Sequence, residues 1–294
     1  MDTLGETGLT GSTAGISPEE LLEAESQLAS RLLRAADEER PQLYGAVYDE
    51  IWRMHLPSLG TSAAEQTMGA NPRLLPALER RAREGDRALE LGCGTGYMAL
   101  ELAKRGRLMT AIDASRVVVE TARGNALQEN VDVTFVAVEG VNLPFSAESF
   151  ELAFSIELVE HLHERDVPRH LAEVFRVLKP GGAYCFWTPN RLMEVGLAER
   201  FGVATAAAGA GDVHLKEWLY GELAPLLRSA GFSPLRSPWR DTRLHGLPLL
   251  PVRSKTELER LTRRLPLRLR RIVAAAAGLV SCTLVAWKPR YLDR

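Results

Sequence analysis

One short run constrains the fold more than any other part of the chain: Ala88-Leu89-Glu90-Leu91-Gly92-Cys93-Gly94-Thr95-Gly96. An apolar strand runs into three alternating glycines, and the helical pattern Tyr97 to Arg105 follows at once. Glycine tolerates positive φ and carries no Cβ. The backbone can therefore turn sharply and come close to a ligand, as the first strand-to-helix turn of a doubly wound α/β sheet requires. The spacing separates this loop from the dinucleotide fingerprint G-x-G-x-x-G, because the order here is Glu90-x-Gly92-x-Gly94-x-Gly96, with an acid two residues before the first glycine. A nucleotide cofactor other than a dinucleotide is the expected ligand.

Strands and helices continue to alternate downstream. The run Leu108 to Ile112 ends in Asp113, at the end of the second strand, where an acid can take both hydroxyls of a ribose. A strand over 133–138 leads into Glu139-Gly140-Val141-Asn142-Leu143-Pro144-Phe145, and after a turn another strand is expected over 150–156. An amphipathic helix with Leu171, Val174, Phe175 and Leu178 on one face stops at Lys179-Pro180-Gly181-Gly182, before a buried strand over 183–188. From about Arg87 to Asn190 this order closely resembles the class I S-adenosylmethionine (SAM) dependent methyltransferases, of the methyltransferase type 11 kind.

The resemblance implies an α/β, Rossmann-like fold with a seven-stranded, mostly parallel sheet, and SAM as the cofactor. It implies cofactor contacts from Glu90, Gly92, Gly94, Gly96, Asp113 and Ser155, with the Glu139 carboxylate on the adenine amino group and the Gly140 amide on a ring nitrogen. The last strand would be 281–287, antiparallel beside a strand near 232–239.

Ahead of this domain, Ser17-Pro18-Glu19-Glu20 forms a capping box with proline at the first helical position, opening a helix to about Ala36. A second helix after Pro41 carries Tyr44, Val47, Tyr48, Ile51 and Trp52. The expected organisation is a disordered lead-in over 1–16, a helical cap over 17–80 and a SAM-binding domain over 81–294, with lid insertions near 192–213 and 245–275. In related enzymes such a cap folds over the cofactor, so Tyr44 or Tyr48 either touches SAM or belongs to the core.

The 294 residues carry a net charge of −2, and 46% are hydrophobic and 25% charged, as expected of a cytoplasmic globular enzyme. Cys93, Cys185 and Cys282 lack CxxC spacing and read as reduced, buried thiols. The longest apolar stretch, 272–287, is shorter than the ~20 residues of a spanning helix and contains Gly278, Ser281 and Thr283, so no transmembrane segment is expected. The basic run Arg263 to Arg271 reads as a solvated helix face paired with the acidic N-terminal helices, with an anionic substrate, RNA or a membrane surface as the alternatives. A sequence pI near 6.4 and the lack of an aromatic-rich module argue against a nucleic-acid partner. The expected partner is a small-molecule acceptor, and oligomeric state is left open.

Methyl transfer to a hydroxyl needs the acceptor in line with the sulfonium and a means of removing its proton, either a general base or a divalent ion. Both belong past the ends of the fourth and fifth strands. That place holds Glu157-Leu158-Val159-Glu160-His161, where a helical turn would put Glu157, Glu160 and His161 on one face. Downstream stands His214-Leu215-Lys216-Glu217-Trp218.

The E-x-x-E-H and H-x-x-E-W pair resembles metal-dependent small-RNA 2′-O-methyltransferases, and its first half resembles the O-methyltransferases of ubiquinone biosynthesis. By that resemblance Glu157, Glu160, His161 and His214 hold a divalent metal, Mg²⁺ or Mn²⁺. Without one, His161 or His214 serves as the catalytic base, and His214 with Glu217 caps the next helix. The expected activity is SAM-dependent O-methylation of a small molecule such as a sugar, a catechol or a natural-product intermediate. RNA 2′-O-methylation and a non-catalytic SAM-binding role are the alternatives.

Overall fold

A computed structural model describes residues 17–60, 74–193, 214–238 and 249–290. The lead-in over 1–16 and most of the insertion at 192–213 lie outside the described residues. The cap begins as its sequence directs: Ser17 Oγ accepts from the Glu20 amide at 3.2 Å, while the Ser17 amide donates to Glu20 at 2.9 Å. Helices α1 (Pro18–Arg34) and α2 (Arg40–His55) follow, then the short α3 (Leu75–Glu79).

The α/β core runs β1 (Arg87–Leu91), α4 (Tyr97–Ala103), β2 (Leu108–Asp113), α5 (Arg116–Glu129), β3 (Thr134–Ala137), β4 (Phe150–Ile156), α6 (Val167–Val177) and β5 (Leu178–Pro189). After the undescribed segment come α7 (Tyr220–Ser229), β6 (Leu235–Ser237), β7 (Leu250–Pro251), α8 (Val252–Thr262), α9 (Leu267–Ala276) and β8 (Ser281–Trp287).

The strands form one sheet in the order β3-β2-β1-β4-β5-β8-β6-β7. Neighbours from β3 to β5 pair in parallel, and β8 enters antiparallel between β5 and β6. Helices cover both faces, so the inner strands are buried on each side and read as near-continuous apolar runs. One core packs α1, α2, α6 and α7 on the sheet, and the other packs α3, α4 and α5. Among the described residues no helix is long and apolar enough to cross a membrane.

The sheet has eight strands where seven were expected. The extra one is a two-residue edge, Leu250–Pro251, paired with Arg236 and Ser237. It belongs to the expected insertion near 245–275, which over its described part folds into β7, α8 and α9. Lys179 to Gly182 also departs from its reading as a stop. The register between β4 and β5 shifts there, and a Cβ on Gly182 would sit 2.8 Å from the Lys179 carbonyl and 2.9 Å from that of Glu151. The four residues are therefore an irregularity inside a longer strand.

Candidate active site

The carboxyl ends of β1, β2 and β4 open onto one cleft, roofed by α2. Tyr44, Tyr48, Ile51, Trp52 and His55 line it from one stripe of that helix, opposite Glu90, Gly92, Cys93, Gly94, Asp113, Gly140 and Glu157. The helix is tied to the sheet domain along its length. Asp49 accepts from the Ser115 hydroxyl at 2.7 Å and from the Val117 amide at 3.1 Å. Tyr48 donates to the His161 carbonyl at 3.3 Å, and Tyr44 donates to Asp166 while accepting from the His163 amide, both at 2.8 Å. Buried Arg40 completes the tie with a 3.0 Å pair to Asp166. Tyr44 and Tyr48 thus belong to core and cleft wall at once.

The glycine loop behaves as its sequence requires, with φ of 72° at Gly92, 51° at Gly94 and 88° at Gly96. Gly94 faces the cleft, and a Cβ there would lie 3.4 Å from the Trp52 ring. Gly96 has a different task. It does not line the cleft, and its missing Cβ leaves room for Phe135 and Ala122, which a side chain would meet at 2.9 and 3.1 Å.

Asp113 holds the loop from the next strand, accepting from the Gly94 and Ser115 amides at 3.0 Å each. Burial pushes its carboxyl up to about 6 against these donors. Each oxygen keeps a lone pair for a ligand hydroxyl. Glu90 is buried, its carboxyl pushed well up by burial, and its Oε2 has no hydrogen-bond partner although the residue lines the cleft. An orphaned carboxylate oxygen, a Cβ-free loop face and a ribose-competent acid fit the ammonium and nucleoside parts of SAM.

Two residues implied as cofactor contacts are not among those lining the cleft. Ser155 is buried with its Oγ 2.7 Å from the Tyr184 hydroxyl, and it does not line the cleft. Glu139 accepts from Asn142 at 2.8 Å and is also absent from the lining. Gly140 does line the cleft, held by His170, whose Nδ1 lies 2.6 Å from the Gly140 carbonyl and whose Nε2 lies 3.1 Å from the Tyr184 hydroxyl. A carbonyl can only accept, so Nδ1 carries the proton and Nε2 accepts from the tyrosine. Burial lowers this imidazole to about 4, keeping it neutral.

Beyond β4 the chain does not form the expected α-helical face. Glu157 has φ of 51°, an uncommon conformation for a residue with a side chain, and the turn that follows is a short 3-10 turn over Val159–His161. Glu160, His161 and His214 nevertheless converge: one ligand atom from each lies within 4.8 Å of the others. Glu157 lies outside this trio, on the cleft wall. The His161 and His214 rings stand 5.0 Å apart. Glu160 is fully buried, with Oε2 taking a 2.9 Å hydrogen bond from Thr188 and Oε1 unpartnered. Burial raises its carboxyl to about 8, with His214 pulling the other way, and raises Glu157 to about 7.

His214 is placed by residues around it rather than by a helix. The Leu215 and Lys216 amides donate to the Glu160 carbonyl at 2.8 and 3.1 Å, and the Trp218 indole donates to Val159 at 3.2 Å. The alternative in which His214 and Glu217 cap the next helix is not what the structure shows. Glu259, from α8, accepts from the first amides of α7, Tyr220 at 3.0 Å and Gly221 at 2.9 Å. Glu217 lies 3.6 Å from His214. Asn190 and Arg191, at the end of β5, are engaged with Glu259 and Glu222.

The sheet domain is similar to known proteins. Residues 88–182 match a family model described as a methyltransferase domain. A ubiquinone biosynthesis O-methyltransferase of Chelativorans sp. is 29% identical over 182 residues, 54% of this chain and 68% of that protein. Its namesake from Brucella ovis is 33% identical over 119 residues, 40% of this chain and 47% of that protein. Among solved structures, the (4+2)-cyclase SpnF shares the fold with a TM-score of 0.55 and 24% identity, covering 85% of this chain and 96% of that one.

Residues 88–182 thus carry the methyltransferase domain that the family model describes, on a sheet whose fold is shared with the cyclase. The two relatives just described are O-methyltransferases, of which the chain spans about two thirds in one case and about half in the other.

Proposed function

We propose that this protein methylates a hydroxyl on a small molecule bearing a neighbouring oxygen, with a divalent ion held by Glu160, His161 and His214 and with Glu157 beside it. The observation that carries the reading is the convergence of those three side chains around a buried carboxylate with one oxygen unpartnered. Leaving such a group unpaired is costly, and a cation meets that cost. One oxygen and two nitrogen donors suit Mn²⁺ and the later first-row ions more than Mg²⁺, and the Glu157 carboxylate adds oxygen character.

When bound, such an ion lowers the pKa of a hydroxyl that reaches it. The residues of the chain do the remaining work. Glu90, the glycine loop and Asp113 fix the cofactor. Helix α2 roofs the cleft and limits water, and Tyr48 holds the backbone of His161 against it. Position and exclusion of water suffice for transfer from an already activated sulfonium. The relatives' O-methyltransferase names support an oxygen acceptor, and the fold alone does not fix the reaction, since a cyclase shares it.

The test is transfer from labelled SAM to a panel of catechols, vicinal diols and short RNAs, with added Mn²⁺ or with chelator. Methylated catechol or diol only in the presence of metal is expected. Chelator-insensitive turnover would pass proton removal to His161 or His214 as base. RNA as the sole acceptor would replace the small-molecule reading, and transfer to none of the panel would favour a cofactor-binding role without catalysis.

A further inference from the structure

The basic run from Arg263 to Arg271 does not find the acidic partner expected in the N-terminal helices. Among the described residues no acid pairs with Arg263, Arg264 or Arg268, and all three side chains are exposed. From Arg260 through Arg290 the chain carries no aspartate or glutamate. Arg270 donates to the Arg263 carbonyl at 3.1 Å, which pins the α8–α9 connection against α9.

Helix α9 buries one face and leaves the other bare. Ala274, and Ala277 at the helix end, are in the core, with Arg270 and Val273 half-buried on the same side. Leu269 and Ile272 keep 47% and 67% of their surfaces exposed, and the exposed Ala276 continues their line at the spacing i, i+3, i+7. Leu261 at the end of α8 and Val280 beyond α9 are exposed too. Single exposed apolar residues are ordinary, whereas a stripe of them beside arginines without acidic partners marks an interaction surface.

The chemistry of this face selects what covers it. A symmetric contact with a second copy would set arginine against arginine. The segment 252–280 holds no aromatic residue on which a base could stack, which disfavours RNA. Aliphatic side chains able to enter the acyl boundary, beside guanidiniums at the level of the headgroups, suit an anionic bilayer. Arginine stems can lie along the same boundary while their heads stay with the phosphates. Helix α9 packs on the turn over Arg191–Met193 that follows β5, so the face belongs to the end of the sheet onto which the cleft opens.

We infer that α9 and the α8–α9 connection dock this protein on an anionic lipid surface, with Leu269 and Ile272 entering the interface and Arg263, Arg264 and Arg268 meeting phosphate headgroups.

Sedimentation of the full chain with lipid vesicles tests this. Wild type should bind vesicles made of equal parts phosphatidylglycerol and phosphatidylcholine, lose most of that binding in high salt, and fail to bind phosphatidylcholine alone. Each arginine near an anionic surface contributes roughly fivefold, so combining Arg263→Gln, Arg264→Gln and Arg268→Gln should weaken binding by on the order of 100-fold. Leu269→Ser with Ile272→Ser should weaken it by roughly tenfold. All five side chains are exposed, so both variants should melt near the wild-type temperature. Binding unchanged in both variants, equal binding to neutral vesicles, or none to anionic ones would overturn the inference. A dimer abolished by Leu269→Ser with Ile272→Ser, in the absence of vesicle binding, would assign the face to a second copy instead. Arginine-dependent retention of a short RNA without vesicle binding would assign it to RNA.

Discussion

At the end of β1 the cleft is built largely from backbone, with positive-φ glycines and amides fixed by Asp113 within a short stretch of chain. Past β4 and β5, where His161 lines the cleft, stands a cluster built from side chains, Glu160 and His161 from one loop and His214 from more than fifty residues on, joined through Thr188 and Trp218. A backbone cradle needs glycine at fixed spacing and tolerates little else. A side-chain cluster depends on long-range packing, and can change ligands or lose its ion while the fold persists. The cofactor half therefore announces the family, and the second half carries what distinguishes one member's chemistry.

The largest effect that could break this contrast is at Gly94. Gly94→Val puts a branched side chain at φ of 51° and against Trp52, so S-adenosylhomocysteine affinity should fall by ~100-fold or more, beyond the modest loss of stability that the strained φ itself costs. Retained binding would mean the loop is not the cradle. Gly96→Val should instead lower the melting temperature, because the new side chain meets Phe135 in the core.

At the proposed metal cluster, Glu160→Gln should reduce metal-dependent transfer by on the order of 100-fold while leaving S-adenosylhomocysteine affinity within about twofold. Equal loss of both would show that the two halves are not separable.

Asp113→Ala should weaken cofactor binding by roughly tenfold or more, since both the ribose acceptor and the Gly94 tie are lost. Burial raises this carboxyl to about 6 from an ordinary 3.8. A hydroxyl donates more strongly to the ionised carboxylate than to the protonated acid, so cofactor affinity should rise with pH through about 6. In the ligand-free protein the sign is opposite: ionising a raised, buried acid opposes folding, so this group's contribution to stability declines as pH climbs from about 4 past 6. A flat affinity profile from pH 5 to 7 would contradict the ribose role.

The smallest effect is expected at Thr188→Val, which removes the hydrogen bond orienting Glu160 and should cost about tenfold in metal affinity. No change would show that the carboxylate needs no such support.

The same contrast explains how far the sequence could be read. The glycine loop, the strand ending in Asp113 and the capping box at Ser17 were legible because each rests on a local pattern, whereas the antiparallel last strand came from the family resemblance. Glu157 was misplaced because a helical turn was assumed where the backbone adopts a left-handed conformation, with its amide donating to the Trp187 carbonyl at 2.9 Å. Ser155 and Glu139 were assigned by position in the family pattern, but Tyr184 and Asn142 are close enough to engage them. Glu259 capping α7 and Glu25 meeting His55 join residues 38 or 39 and 30 apart in the chain, beyond the reach of local periodicity. The unusual burial of a glutamate in a helix as polar as α1 shows only once α2 is folded on it.

The measurement that bears most directly on the account is Mn²⁺ binding to chelator-stripped protein, followed by electron paramagnetic resonance with S-adenosylhomocysteine present, in wild type and His214→Ala. One saturable site in wild type, lost in the variant, is the predicted result. No site in wild type, or a site indifferent to His214, would contradict metal-assisted transfer at this cluster.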